Sequence, residues 1–244
     1  MLLLLLPVGA LLVGGAAGNL ATAARDPAVA PAVWLTLRTS FTALALIVVS
    51  GTPLAWWLAT SRGRLPQVVG ALVDLPVVVP PAVLGVGLLL ALGPQAPLGT
   101  VLASAGLTLP FTEPAVVVAQ VVVAAPFYIQ AAASAFRRVD PDLLIVAHTL
   151  GASPPEAFLR VALPLAAPGL VAGASLAWAR AVGEFGATLL FAGNLPGVTQ
   201  TLPLAVLSAM EGRLEVALAL SLVLLGLGFV ALLGVRAVPG RGAP

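Results

Sequence analysis

The chain contains no lysine and no cysteine, a single histidine and a single tyrosine. Each absence closes off some chemistry. Without lysine there can be no phosphate-cradling G-x-x-x-x-G-K-S/T loop, so the chain is not expected to be an enzyme, and any energy it uses would come from a partner or from an ion gradient. Without cysteine there are no disulfides, thiolate metal sites or cysteine nucleophiles. His148 alone builds neither a metal cluster nor an ordinary catalytic triad, so it is expected to cap or pack locally. No metal or cofactor is expected. Charge is scarce too, at 8% of residues against about a quarter in soluble domains. The 11 basic residues are scattered arginines and the net charge is only +2, so no basic patch for nucleic acid is present.

What the chain has instead is apolar length. It is 60% hydrophobic over 244 residues, the composition of an integral membrane protein whose helices bury their faces against one another and against lipid. Apolar runs predict six spans in one all-α transmembrane domain, 1–244, at about 2–20, 33–60, 68–92, 114–136, 165–192 and 214–235. A secretory signal is the rival for the first run, but the missing positive n-region argues against it. Arg38 and the Trp56-Trp57 pair suit the two ends of the second span. Asp74, Pro76, Pro80 and Pro81 interrupt the third, which is tolerated only where protein or water satisfies the freed carbonyls. The uncharged Gly- and Pro-rich stretch 93–112 suits the membrane surface or re-entry, and 202–210 reads as a short helix in the last loop.

Six spans put both termini on one side. If that side is cytoplasmic, Arg62, Arg64, Arg137, Arg138, Arg160, Arg236 and Arg241 lie inside, and only Arg25, Arg213 and Arg38 outside. The positive-inside rule selects this orientation in the plasma (inner) membrane.

Residues 137–164 (RRVDPDLLIVAHTLGASPPEAFLRVALP) form the one sizeable polar island. Asp140-Pro141 can start a helix, Leu143, Leu144, Ala147 and Leu150 keep helical spacing, and Gly151 suits a left-handed stop. Ser153 with Glu156 is a capping-box pattern, and Pro154 opens a second short helix. The pattern of Val146-Ala147, then Gly151, then Val161, Leu163 and Pro164 resembles the cytoplasmic loop of ABC-transporter permeases, with Ile145 where that family has an acid. The resemblance implies a coupling helix docked on an ATPase subunit, with Val146, Ala147, Gly151, Ala152, Ser153, Glu156, Val161, Leu163 and Pro164 in the coupling loop.

The second informative stretch is 179–200 (ARAVGEFGATLLFAGNLPGVTQ). Ionisable groups at membrane depth are costly and usually mark function. Arg180 and Glu184 are four apart on one helical face and can pair. Gly183 and Gly186 offer close-packing or unwinding points. A salt bridge that fixes two helices and a gate or conduit wall for an anion both fit; Arg180, Gly183, Glu184, Gly186 and Thr188 are the pathway candidates. The runs at 183–188, 191–194 and 199–205 resemble the molybdate/tungstate permeases, and sulfate and thiosulfate permeases more loosely. Asp74-Leu75-Pro76, Pro80-Pro81 and Gly85 resemble the same family. That resemblance implies the permease fold of a type I ABC importer: a homodimer, two ATPase subunits and an extracytoplasmic oxyanion-binding protein. The alternative from another class, an ion-gradient-driven secondary transporter, would need proton- or sodium-binding carboxylates at depth and internal repeats; Glu184 is the one deep candidate and no repeat is evident.

Overall fold

Prolines mark where the helices begin. The computed structural model describes residues 2–14 and 26–236, and these are all-helical in their regular structure. In chain order the helices are α1 (Leu2–Gly14), α2 (Val29–Thr60), α3 (Arg64–Val78), α4 (Pro81–Leu92), α5 (Pro97–Ser104), α6 (Glu113–Arg137) and α7 (Pro141–Thr149). They continue as α8 (Pro154–Val182), α9 (Gly186–Ala192), α10 (Leu202–Met210) and α11 (Leu214–Arg236). Pro81, Pro97, Pro114, Pro141, Pro154 and Pro203 all sit in first turns, where the lost N–H would have had no partner.

Among the described residues four helices are long and apolar enough to cross a membrane: α2, α6, α8 and the Leu214–Gly234 stretch of α11. The third predicted span is not one rod. It breaks between α3 and α4 with a bend of 114°, and counting that pair as one span gives up to five. Pro80 and Pro81 are the reason, since two successive residues have no N–H to continue the ladder. With 13 residues, α1 reaches about 20 Å, short of a ~30 Å hydrocarbon layer. The remainder of the predicted first span, 15–20, lies outside the described residues, as do Arg25 and Arg241.

The polar island also divides differently from expectation. Pro154 opens no separate short helix: the chain runs helically from Pro154 through Val182, so the boundary drawn at 164/165 falls inside α8. Pro164 cannot donate to the carbonyl four residues back. A π turn at Phe158–Ala162, closed by Leu163 N–H donating to the Phe158 carbonyl, absorbs that loss without ending the helix. Likewise the predicted span 165–192 ends as a regular helix at Val182 and resumes at Gly186.

At the centre is α6, packed chiefly against α2 and α8, with α9 and α3 also on its flanks. Its buried face is mostly small: Ala124, Ala132, Ala133 and Ala135 meet Ala162, Ala166, Ala177 and Ala181 of α8, with Ile47 and Tyr128 as larger pieces. Backbones approach closely as a result. A Cβ on Gly173 would sit 2.7 Å from Ala131 Cβ, and one on Gly51 would sit 3.0 Å from Tyr128 Cδ1. In lipid this contact, not water exclusion, holds helices together. Polar bonds add to it: Thr52 Oγ1 and Tyr128 Oη lie 2.6 Å apart, and Trp178 Nε1 donates to Ser40 Oγ at 3.1 Å.

Candidate functional site

Two regions hold the residues that the sequence singles out, and the fold keeps them apart on α7–α8 and on α8–α9. In the first, α7 begins as its sequence requires, with Asp140 Oδ1 accepting from Asp142 N–H at 3.0 Å. It stops at Gly151, whose φ of +91° is the left-handed conformation that glycine tolerates best. His148 Nδ1 donates to the Ala152 carbonyl at 2.9 Å and pins that turn. Beyond it, Glu156 Oε2 accepts from Ser153 N–H at 2.9 Å and from Ser153 Oγ at 2.8 Å. This is the capping box that the sequence predicts, with the serine hydroxyl also donating to the carboxylate. Val161 and Leu163 are half-buried and Pro164 exposed along α8.

This helix-turn unit leaves apolar surface uncovered. Leu144 packs on the bundle with Phe158. By contrast, Leu143, Ile145, Val146 and Leu150 are exposed, Leu150 at 82%. Ala147 is half-buried and Gly151 exposed. A contiguous apolar strip on a connecting segment is the kind of surface that marks a docking site.

The second region is the break between α8 and α9. Arg180 closes α8, and Glu184 lies just past its end rather than on the same helix. The two still meet. Arg180 Nη1 is 2.7 Å from Glu184 Oε2, with side chains 26% and 1% exposed. Oε2 has no aligned hydrogen bond, so the contact is a charge pairing rather than a directed bond. The other oxygen, Oε1, accepts from Ala187 N–H at 2.8 Å and caps the first turn of α9. Glu184 thereby ties both sides of the break. Its partner Arg180 keeps a quarter of its side chain accessible.

Of the other candidates, Gly183 has an ordinary negative φ and marks the helix end without left-handed unwinding. Gly186 is a true close-packing point, because a Cβ there would lie 3.0 Å from Ala82 N in the first turn of α4. The same seam brings Gly85 against α9, where a Cβ would lie 2.8 Å from the Ala187 carbonyl oxygen. Thr188 is fully buried and its Oγ1 has no partner among the described residues.

Three polar features escaped the sequence reading. Gln120 of α6 is 1% exposed, and its Oε1 has no partner among the described residues. Asp74 accepts from Gln130 Nε2 at 2.7 Å, which ties α3 to α6. Past α9, Gln200 Nε2 donates to Asn194 Oδ1 at 2.9 Å and to Ser208 Oγ at 3.1 Å, fastening the loop onto α10. Isolated glutamines within apolar runs were the available signal for the first two.

Comparison with known proteins agrees with this architecture. Residues 51–241 match the family described as the binding-protein-dependent transport system inner membrane component. The chain is 43% identical over 211 residues to the molybdenum transport system permease protein of Mycobacterium tuberculosis, covering 86% of this chain and 80% of that one. Its counterpart in Azotobacter vinelandii is 44% identical over 181 residues, covering 74% and 80%. Among solved structures, an inward-facing MetNI methionine ABC transporter chain superposes with a TM-score of 0.66 at 22% identity, covering 88% of this chain and 97% of that chain. At that identity the likeness concerns the fold alone.

Proposed function

The chain belongs to the binding-protein-dependent transport system inner membrane component family, and from that premise we propose that it is the membrane permease of an ATP-driven molybdate importer. The observation that carries the substrate is the 43% identity to a molybdenum permease over 86% of the chain. Tungstate, a tetrahedral dianion of the same charge, would share the path. ATP is hydrolysed by a separate subunit in this reading, and an extracytoplasmic protein delivers the oxyanion. Two copies of the chain enclose the path, six spans per copy keep both termini in the cytoplasm, and residues 1–244 act as one domain in the inner membrane.

The exposed apolar strip on α7, from Leu143 to Leu150, supports assigning it to contact with the ATPase. Because α7 meets α8 through a short turn pinned at Gly151 and His148, a push on α7 would be transmitted into α8 and so to Arg180 at its far end. There the passing dianion would compete with Glu184 for the Arg180 guanidinium. Glu184 keeps Arg180 neutralised when the path is empty, and the α9 cap holds the carboxylate in place.

The test is uptake of labelled molybdate by proteoliposomes holding the permease, its ATPase and its binding protein. ATP-dependent uptake blocked by tungstate and left intact by excess sulfate is the expected result. Uptake that ignores ATP and follows a proton or sodium gradient would overturn the importer reading. Preferential uptake of sulfate would overturn the substrate.

A further inference from the structure

Arginines in this structure are mostly spoken for. Among the described residues Arg38 pairs with Glu113, Arg160 with Glu156, Arg180 with Glu184 and Arg213 with Asp26. Arg138 donates to Ser134 Oγ. Arg62 and Arg137 have no ion pair and no side-chain hydrogen bond among the described residues, yet they line the same cavity of about 620 Å³ between the ends of α2, α3 and α6. They also line a cavity of about 380 Å³ beside Trp56, so both residues are shared by the two cavities.

The larger lining also carries the polar Ser61, Gln67 and Gln130, beside apolar or small residues such as Leu58, Pro66 and Ala133. Its one acid is Asp74, whose Oδ1 is engaged by Gln130 Nε2 at 2.7 Å. Two arginines against one aspartate leave the lining at +1. That matches a singly charged phosphodiester better than a free dianion. Tryptophans such as Trp56 favour headgroup depth, and basic pockets at helix ends on the cytoplasmic side suit anionic lipids.

We propose that Arg62 and Arg137 hold the phosphate headgroup of an anionic phospholipid of the phosphatidylglycerol type. The site rests on the permease reading only for its position at the membrane surface.

The test is native mass spectrometry of the assembled transporter, taken from nanodiscs of mixed phosphatidylglycerol and phosphatidylcholine. The wild type should retain phosphatidylglycerol selectively. The R62Q/R137Q pair should retain it about thirtyfold less, the size expected for losing two arginine contacts to an anionic headgroup. Each single variant should lose severalfold, so the result does not hang on the double variant accumulating. R64Q, on a neighbouring arginine outside the lining, should behave as wild type, and R62K/R137K should keep most of the lipid. Unchanged retention in the glutamine variants, or an equal loss in R64Q, would overturn the site. Displacement of the lipid by molybdate or inorganic phosphate would also overturn it, because the cavity would then take a free oxyanion. A transporter that proved to carry sulfate would leave the lipid result untouched, so the two readings fail separately.

Discussion

Glu184 answers to two groups at once: it balances Arg180 and caps Ala187. Removing either partner of a well-buried ion pair leaves a lone charge and costs on the order of 3–5 kcal/mol, whereas removing both costs less. R180M alone and E184Q alone should therefore lower membrane abundance, and R180M/E184Q should recover it relative to the worse single variant. If the arginine also meets the oxyanion, the recovered double variant will still import molybdate poorly. Normal uptake at recovered abundance would reduce the pair to a structural tie. The cap can be separated from the charge. Glutamine keeps an oxygen for Ala187 N–H and alanine does not, so E184A should be less stable than E184Q by about 1 kcal/mol, read from thermal unfolding in detergent.

At the scale of the helix, Gly151 isolates backbone from packing. A side chain there would meet nothing within 4 Å, but its φ of +91° strains any β-branched residue. G151V should leave the protein in the membrane and weaken ATPase association, measured by co-purification, while G151N, which tolerates such a φ better, should retain most of it. Full association in G151V would argue against a role for this turn. The turn itself was legible in the sequence, because Asp140, Gly151, Ser153 and Glu156 act within a few residues of themselves. The helix 202–210 and the bounds of α6 were legible for the same reason. The bend of α3 against α4 was only half legible. Pro80 and Pro81 announce a break, but its 114° angle is set by distant contacts such as Gly85 and Gly186 against each other's helices. The Arg180–Glu184 pairing was readable from spacing, yet the break that separates the two, and the cap on Ala187, depend on how α9 seats against α4 and α6.

Across the whole molecule, the arginine bias predicts the direction in which the chain is threaded. Reporter fusions after Arg64 and Arg160 should read cytoplasmic, and fusions near Pro97 and Gly197 external; an external signal at Arg160 would separate α7 from any ATPase. The alanine seam of α6 has a genetic corollary. Single-nucleotide changes in an alanine codon give valine, threonine, serine, proline, aspartate, glutamate or glycine, and all but the last are larger. Soluble cores are wounded mainly when side chains shrink. Here helices already touch backbone to side chain at positions such as Gly173 and Gly51, so growth is the injury and most spontaneous changes cause it. In a saturation screen α6 should therefore rank among the least tolerant segments, a sensitivity that arises from closeness alone and needs no contact with the transported ion.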